Sequence, residues 1–487
     1  MLKPRRRETG LLHNLNPLEP FGAKIERDTR HWMQRAGGVK ILWRYLALLA
    51  VLWFVLVHYY ERTVVARALR QCMWTWEPWP TEATPHRVAL LADPQIMDEH
   101  SYPGRPQFVN WLTQQHLDNY HRKNWVYMHA ELNPDSVIFL GDLFDGGRDQ
   151  DQEHWTKEYQ RFMRIFEPRP GTLTVTSLAG NHDIGFGDSV VDSSLQLFRA
   201  FFGEPSKAID VGNHTFVLLD TISLSNKKDL DISAKPKAFL ETFDVHVQKY
   251  PRILLTHVPL WRNVREQTCS GPRESKIPFP AMYGYQYKTL IDSSLTDVIL
   301  SRVQPEIVFS GDDHDYCQIK HVYQANGKSK NTEEITVKTC AMNMNIKRPA
   351  IQLLSLYNPE EPLQDPDDPS STLKTYKTEI CYLPSPYKAI KVYILFYILS
   401  LALLIWMNMY PSSFNARIGF KLSRWMGTSA KPLLPISAKQ TAKDRKSALQ
   451  GMMFTITSSG GVPTVVANTA VLTILVFLIF AYHYRSI

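Results

Sequence analysis

The chain has 487 residues, 44% hydrophobic, with a formal net charge of +8 and five cysteines. The apolar share exceeds what one soluble catalytic domain uses. The positive charge gathers in two segments beside apolar stretches, which marks membrane orientation and excludes a nucleic-acid footprint.

Residues 1–40 hold nine Lys/Arg and four Asp/Glu, a net +5, and read as a cytoplasmic basic tail. Residues 41–60 are apolar except for Arg44, which can snorkel. They are long enough to cross a bilayer core of roughly 30 Å at about 1.5 Å per residue, and the apolar run is longer than the h-region of a signal peptide, so a retained anchor is expected. Residues 85–357 read as a lumenal domain and 358–391 as an acidic, Pro-rich linker. Residues 392–409 and 464–484 carry no Lys, Arg, Asp or Glu and are predicted to form two further transmembrane helices. Between them, 410–463 holds eight Lys/Arg and one acid, a net +7, and is expected to be a second cytoplasmic segment. Within it Phe414, Ile418, Leu422, Trp425 and Met426 recur at helical spacing among basic residues, which predicts an amphipathic helix on the membrane surface or packed on the spans. Cys72, Cys269, Cys317, Cys340 and Cys381 all fall between the first two spans, as an oxidising lumen allows. Five is odd, so at least one has no partner within the chain.

In the 85–357 domain, five apolar runs (88–91, 136–140, 173–178, 252–255 and 306–309) read as buried strands. Each leads into a polar motif: Asp93-Pro94-Gln95, Gly141-Asp142-Leu143-Phe144-Asp145, Gly180-Asn181-His182-Asp183, Thr256-His257 and Gly311-Asp312-Asp313-His314. Carboxylate, amide and imidazole donors at the ends of successive strands converge on one rim of a sheet. A donor set of Asp, Asn and His without thiolate suits Mn, Fe or Zn. Helices are predicted over 107–132, 152–166, 192–202, 237–249 and 286–302, so the core is an α/β layered one. A second triplet, Gly212-Asn213-His214, lies between two apolar runs and reads as a hairpin turn; Asn213-His214-Thr215 is also a glycosylation sequon. Residues 263–286 lack periodicity and suggest a substrate-facing insertion. Trp261 and Arg262 precede it and are candidates to line a cleft; Arg262 would pair either with a phosphate oxygen or within the fold. His214, His246 and His321 read as surface or turn residues, Asp220 as a turn former, and Asp313 and Asp315 as helpers of His314 or solvated charge.

The ordered motifs resemble the calcineurin-like metallophosphoesterase superfamily over roughly residues 85–350. The resemblance implies a four-layer α-β-β-α sandwich and two divalent metals. Asp142 would bridge them, Asp93 and His314 would complete the first site, and Asn181, His257 and Asp312 the second. His182 would be the general acid and Asp145 would orient it. Two metals about 3.5–4 Å apart clamp phosphoryl oxygens and acidify a bridging water. Two positions depart from the usual pattern: Gln95 stands where a His is common, as a weak ligand or a hydrogen-bonding neighbour, and Asp312 stands for the first His of Gly-His-x-His. Both make the site harder and favour Mn²⁺. The anchored arrangement and the Gly311-to-Cys317 variant resemble the fungal, membrane-anchored branch that removes ethanolamine phosphate from a mannose of glycosylphosphatidylinositol (GPI) anchors. That resemblance implies a GPI lipid or GPI-anchored protein as substrate, with the first mannose favoured. It also implies a multi-pass protein of the endoplasmic reticulum or early Golgi membrane, with its catalytic domain lumenal and a role in exporting GPI-anchored proteins. The rival readings are a lumenal phosphomonoesterase or lipid headgroup phosphatase, and a non-catalytic Mn-binding cargo-sorting protein.

Overall fold

The computed structural model describes residues 39–99, 101–244, 248–365, 370–425 and 454–487; His246 lies outside them. The strands in chain order are β1 (His86–Leu91), β2 (Ser136–Phe139), β3 (Leu173–Val175), β4 (Lys207–Val211), β5 (His214–Leu218), β6 (Arg252–Leu255), β7 (Tyr283–Gly284), β8 (Tyr287–Lys288), β9 (Ile307–Ser310), β10 (Cys317–Ala325), β11 (Lys328–Thr336), β12 (Ala350–Leu356) and β13 (Tyr376–Tyr382). They form two main sheets, ordered β13-β12-β1-β2-β3 and β10-β11-β9-β6-β5-β4, and a small β7-β8 hairpin. β1, β2 and β3 run parallel, as do β5, β6, β9 and β11, while antiparallel strands close the remaining edges. The continuous apolar runs of β2, β6 and β9 suit strands covered on both faces.

Alternation along each strand sets the layers. Val88, Leu90 and Ile138 of one sheet meet Phe216, Leu255 and Phe309 of the other. The opposite faces, with Ala89, Phe139 and Leu254, pack on helix residues such as Trp125, Phe162 and Leu300. The result is the four-layer α-β-β-α sandwich. Gly212 and Asn213, both at φ 55°, make the β4-β5 turn, a backbone that glycine and asparagine tolerate. His214 is nonetheless buried, bonded to the Gly212 carbonyl and the Thr375 hydroxyl at 2.8 Å each. Asp220 caps the short helix Thr221–Leu224, accepting from Ser223 N.

Three helices, Gln107–Glu131, Gln152–Ile165 and Asp192–Phe202, follow the predicted spans closely. Two differ. The helix expected at 237–249 is Leu230–Glu241, started by Asp229, whose carboxylate accepts from Asp231 N and Ile232 N. The one expected at 286–302 begins at Ser293, because the preceding residues form β8 and a turn. The 358–391 segment is more than a linker: β13 pairs along all of β12, and Cys381 within it is disulfide-bonded to Cys72.

The described residues divide into two compact units, one including residues up to Val57 and Val392–Tyr482, the other His58–Lys391 with His483–Ile487. Among the described residues three helices are long and apolar enough to cross a membrane: Trp43–Arg70, Pro386–Met409 and Gly461–Arg485. The first outruns the expected 41–60 because the charge of Glu61 is met inside the fold by Lys123 Nζ and Asn119 Nδ2, both at 2.8 Å. In the smaller unit Trp53 is buried against Phe396, and Tyr45 against Phe414 and Phe454. Phe414 therefore follows the second of the two expectations, a helix packed on the spans, whereas Trp425 is exposed. Met426 and the residues to 453 lie outside the described residues.

Candidate metal centre

The rim where β1, β2, β6 and β9 end gathers most of the motif residues. At Asp93, Asp142, Asp312 and His314 the backbone turns to φ of 49°, 51°, 67° and 64°, a region L-residues rarely adopt and that concentrates at functional sites. Gly180 is required by close approach: a Cβ there would lie 2.0 Å from Asp142 Oδ1.

Asp93, Asp142 and His257 are buried, and each offers a ligand atom within 4.8 Å of the others. His257 Nδ1 donates to the Leu140 carbonyl at 2.7 Å, so Nε2 faces Asp142 Oδ1 and Asn181 Oδ1, each at 3.3 Å, and Asp312 Oδ1 at 3.7 Å. Asn181 is oriented from behind, its Nδ2 donating to the Gln286 carbonyl at 3.4 Å. Asp312 N donates to Asp93 Oδ1. His314 is close enough to Asp142, His182 and His257 to feel their charges. Gln95 donates its amide to Asp142 Oδ2 at 2.7 Å, the geometry of a hydrogen-bonding neighbour.

His182 stands beside this group. Its backbone N–H donates to Asp142 Oδ1 at 2.8 Å, and its Nδ1 donates to the Asp145 carbonyl at 2.6 Å, with the Asp145 carboxylate at 3.3 Å. The nearer orienting atom is thus backbone. Nε2 is left as the nitrogen available to a substrate.

Burial pushes Asp93 well above the ordinary carboxylate range, and Asp312 and Asp183 up to about 7. Burial acts on Asp142 in the same sense, but the His257 and His182 imidazoles outweigh it and hold Asp142 below that range. Burial lowers His182, yet Asp142 and then Asp145 raise it to about 9. Burial takes His314 down to about 4. The donor set fits divalent metal: Asp93 Oδ2 is buried with no hydrogen-bond partner among the described residues, beside two further buried carboxylates. Uncompensated buried charge of this kind is costly without a cation.

Several neighbours were not legible as site residues. Asp183, the last residue of its motif, accepts from the backbone N–H groups of Leu143, Phe144 and Gly180, bracing two motif loops together. The 263–286 insertion is tied to the final loop by the Cys269–Cys317 disulfide and by an Arg273–Asp313 ion pair. Asp315 is held by Lys338 Nζ at 2.8 Å. Arg262 is no cleft residue: it is fully buried, paired with Glu334 at 2.9 Å. His321 joins the same cluster, 2.7 Å from Glu334, instead of lying at the surface. Trp261 is exposed.

Residues 86–316 match the calcineurin-like phosphoesterase family. The chain belongs to that family, metal-dependent hydrolases of phosphate esters, and with its three apolar helices it is a membrane protein. It is similar to cell division control protein 1 of Saccharomyces cerevisiae, 51% identical over 454 residues covering 92% of each chain. It is more distantly similar to metallophosphoesterase 1 of Gallus gallus, 28% identical over 266 residues and covering 50% of this chain and 63% of the other. The metallophosphoesterase 1 homolog of Caenorhabditis elegans is 24% identical over 291 residues, covering 58% and 74%.

Proposed function

We propose that this protein is a two-metal phosphodiesterase, using Mn²⁺, that removes ethanolamine phosphate from a mannose of the GPI glycan, the first mannose by preference. Its catalytic domain faces the lumen of the endoplasmic reticulum. The hydrolytic half of the reading is carried by His182: a metal-binding protein without turnover has no use for an oriented imidazole beside the metal ligands. The substrate half rests on the Gly311-to-Cys317 motif and the anchored arrangement, which suits a lipid-linked substrate diffusing in two dimensions.

In this reading Asp142 would be shared by the two metals, Asp93 and His314 would complete one site and Asn181, His257 and Asp312 the other, while Gln95 holds the Asp142 carboxylate through its amide. When bound, the metals would supply Lewis-acid charge for the phosphoryl oxygens and a nucleophile at neutral pH. His182, held by Asp145, keeps a proton on Nε2 and passes it to the departing mannose oxygen. The lumenal side is supported by two disulfides in the catalytic unit, since such bonds persist in oxidising compartments. Asn213, the exposed residue of its sequon, is open to glycosylation there.

The test is purified full-length protein in detergent with Mn²⁺, offered a GPI glycan carrying ethanolamine phosphate on defined mannoses and followed by mass spectrometry. Loss of one ethanolamine-phosphate unit, abolished in His182→Ala, is the expected result. Hydrolysis of an aryl phosphate ester without any loss from the glycan would overturn the substrate.

A further inference from the structure

Two cavities adjoin on the His182 side of the metal centre. The first, of about 640 Å³, is walled by His182, Asp145, Arg148, Gln150 and Asp98. The second, of about 620 Å³, shares Asp98 and continues past Tyr102, Arg105, Asn110 and Trp111. Each has the capacity of a site for a sizeable ligand, roughly 300–1,000 Å³. Asp98, at their junction, is fixed by Ser101 N at 2.8 Å, Ser101 Oγ at 3.2 Å and Gln150 Nε2 at 3.0 Å. Gly146 leaves room for it, since a Cβ there would come within 2.2 Å of Asp98 Oδ2.

We propose that this trough is the leaving-group subsite and that it binds a neutral oligosaccharide. The inference rests on the phosphodiesterase reading above, because it places the leaving oxygen at His182. The walls mix carboxylates with side-chain amides: Asp98, Asp145, Asp149 and Gln150 line the first cavity, and Gln107, Asn110 and Gln114 the second. Sugar hydroxyls, each both donor and acceptor, match such a surface. Trp111 is 45% exposed and lies stacked against Phe108, with centroids 6.0 Å apart. Tyr102 has one ring face covered by the Arg105 guanidinium, 3.7 Å from its centroid, which leaves Trp111 as the aromatic offered to a ligand. Aromatic faces are electron-rich and attract the polarised C–H face of a pyranose. Charge selects in the same direction: Asp98, Asp145, Asp149 and Asp151 surround the first cavity against Arg148 and two histidines. An anionic leaving group, such as a nucleotide or sugar phosphate, meets like charge there.

The experiment uses full-length protein in detergent with Mn²⁺ and two substrates, an oligomannoside bearing ethanolamine phosphate and a small aryl phosphodiester. A phosphate-free oligomannoside serves as inhibitor of the aryl reaction. Trp111→Ala is expected to lower the ratio of glycan to aryl kcat/KM about tenfold through the glycan KM, with Trp111→Phe restoring it. The inhibitor is expected to compete in the wild type and to weaken by the same factor in Trp111→Ala. Equal losses on both substrates, or no inhibition by the oligomannoside, would overturn the subsite. If the wild type leaves the glycan intact yet is inhibited by the oligomannoside, the subsite stands and the ethanolamine-phosphate substrate falls.

Discussion

Nδ1 of His257 donates to the carbonyl of Leu140, the last residue before Gly141 and Asp142, at 2.7 Å. One motif's strand thereby fixes the tautomer of another motif's imidazole and directs Nε2 at the carboxylates. Removing the imidazole and removing the shared carboxylate then have different consequences. His257→Ala is expected to lose one metal per chain and Asp142→Ala both, measured by elemental mass spectrometry on desalted protein. Retention of both metals by Asp142→Ala would end its bridging assignment. Chelation of the wild type should abolish turnover, and Mn²⁺ should restore it.

His182→Ala should keep its metal content while kcat falls about 10²–10⁴-fold, the usual contribution of a positioned acid. As an acid His182 works protonated, so kcat declines as pH rises through its pKa, raised to about 9 chiefly by Asp142 against the opposing effect of burial. Bound metals share the charge of Asp142, so the alkaline limb falls at or below that value. Asp145→Asn removes a second raising group and should move the limb to lower pH. An unmoved limb would detach Asp145 from His182.

Arg262 and Glu334 are both completely buried and paired at 2.9 Å, with the Phe279 ring 4.4 Å from the guanidinium carbon. Arg262→Ala strands a buried carboxylate and should cost about 3–5 kcal/mol, read as a lower denaturation midpoint. KM of the surviving folded protein should be unchanged. A raised KM at normal stability would return Arg262 to the substrate cleft.

Cys340 is unpaired and buried, and burial pushes its thiol up, so it is inert in the folded protein. A thiol reagent should find none in the native chain and one after denaturation without reductant. Cys269→Ser with Cys317→Ser should cost about 2–5 kcal/mol. It should also weaken metal retention, because Cys317 follows His314 by three residues. Two or more thiols in the denatured, unreduced chain would contradict the pairing.

What sequence made legible is what local pattern encodes. The runs before Asp93, Asp142 and His257 are short, apolar and closed by polar turns, so strand, rim and ligand types could be read together. β10 and β11 were missed because both are edge-proximal, β10 interleaves polar residues with its apolar ones and β11 is polar at almost every position, so Lys328 to Asn331 look like solvated loop. β13 was missed because Pro and acidic residues just before it dominate the composition. His321 was misread, and the choice between a phosphate and the fold for Arg262 stayed open, for one reason: their partner Glu334 is 72 residues from Arg262 in the chain, and burial of a charge is decided by that partner. The backbone contacts that tune the site, Leu140 to His257 and Gln286 to Asn181, leave no trace in residue identity.

The Cys72–Cys381 bond joins the chain just after one apolar helix to the chain just before the next. The stitch ties the end of the first helix to β13, the edge strand of the sheet whose β1 and β2 lead into the ligands. It also means that a protease nicking any loop between the two cysteines cuts the polypeptide without releasing a fragment until a reductant is added. The chain from Cys72 to Cys381 is thus a covalently closed loop, tolerant of one break along its length.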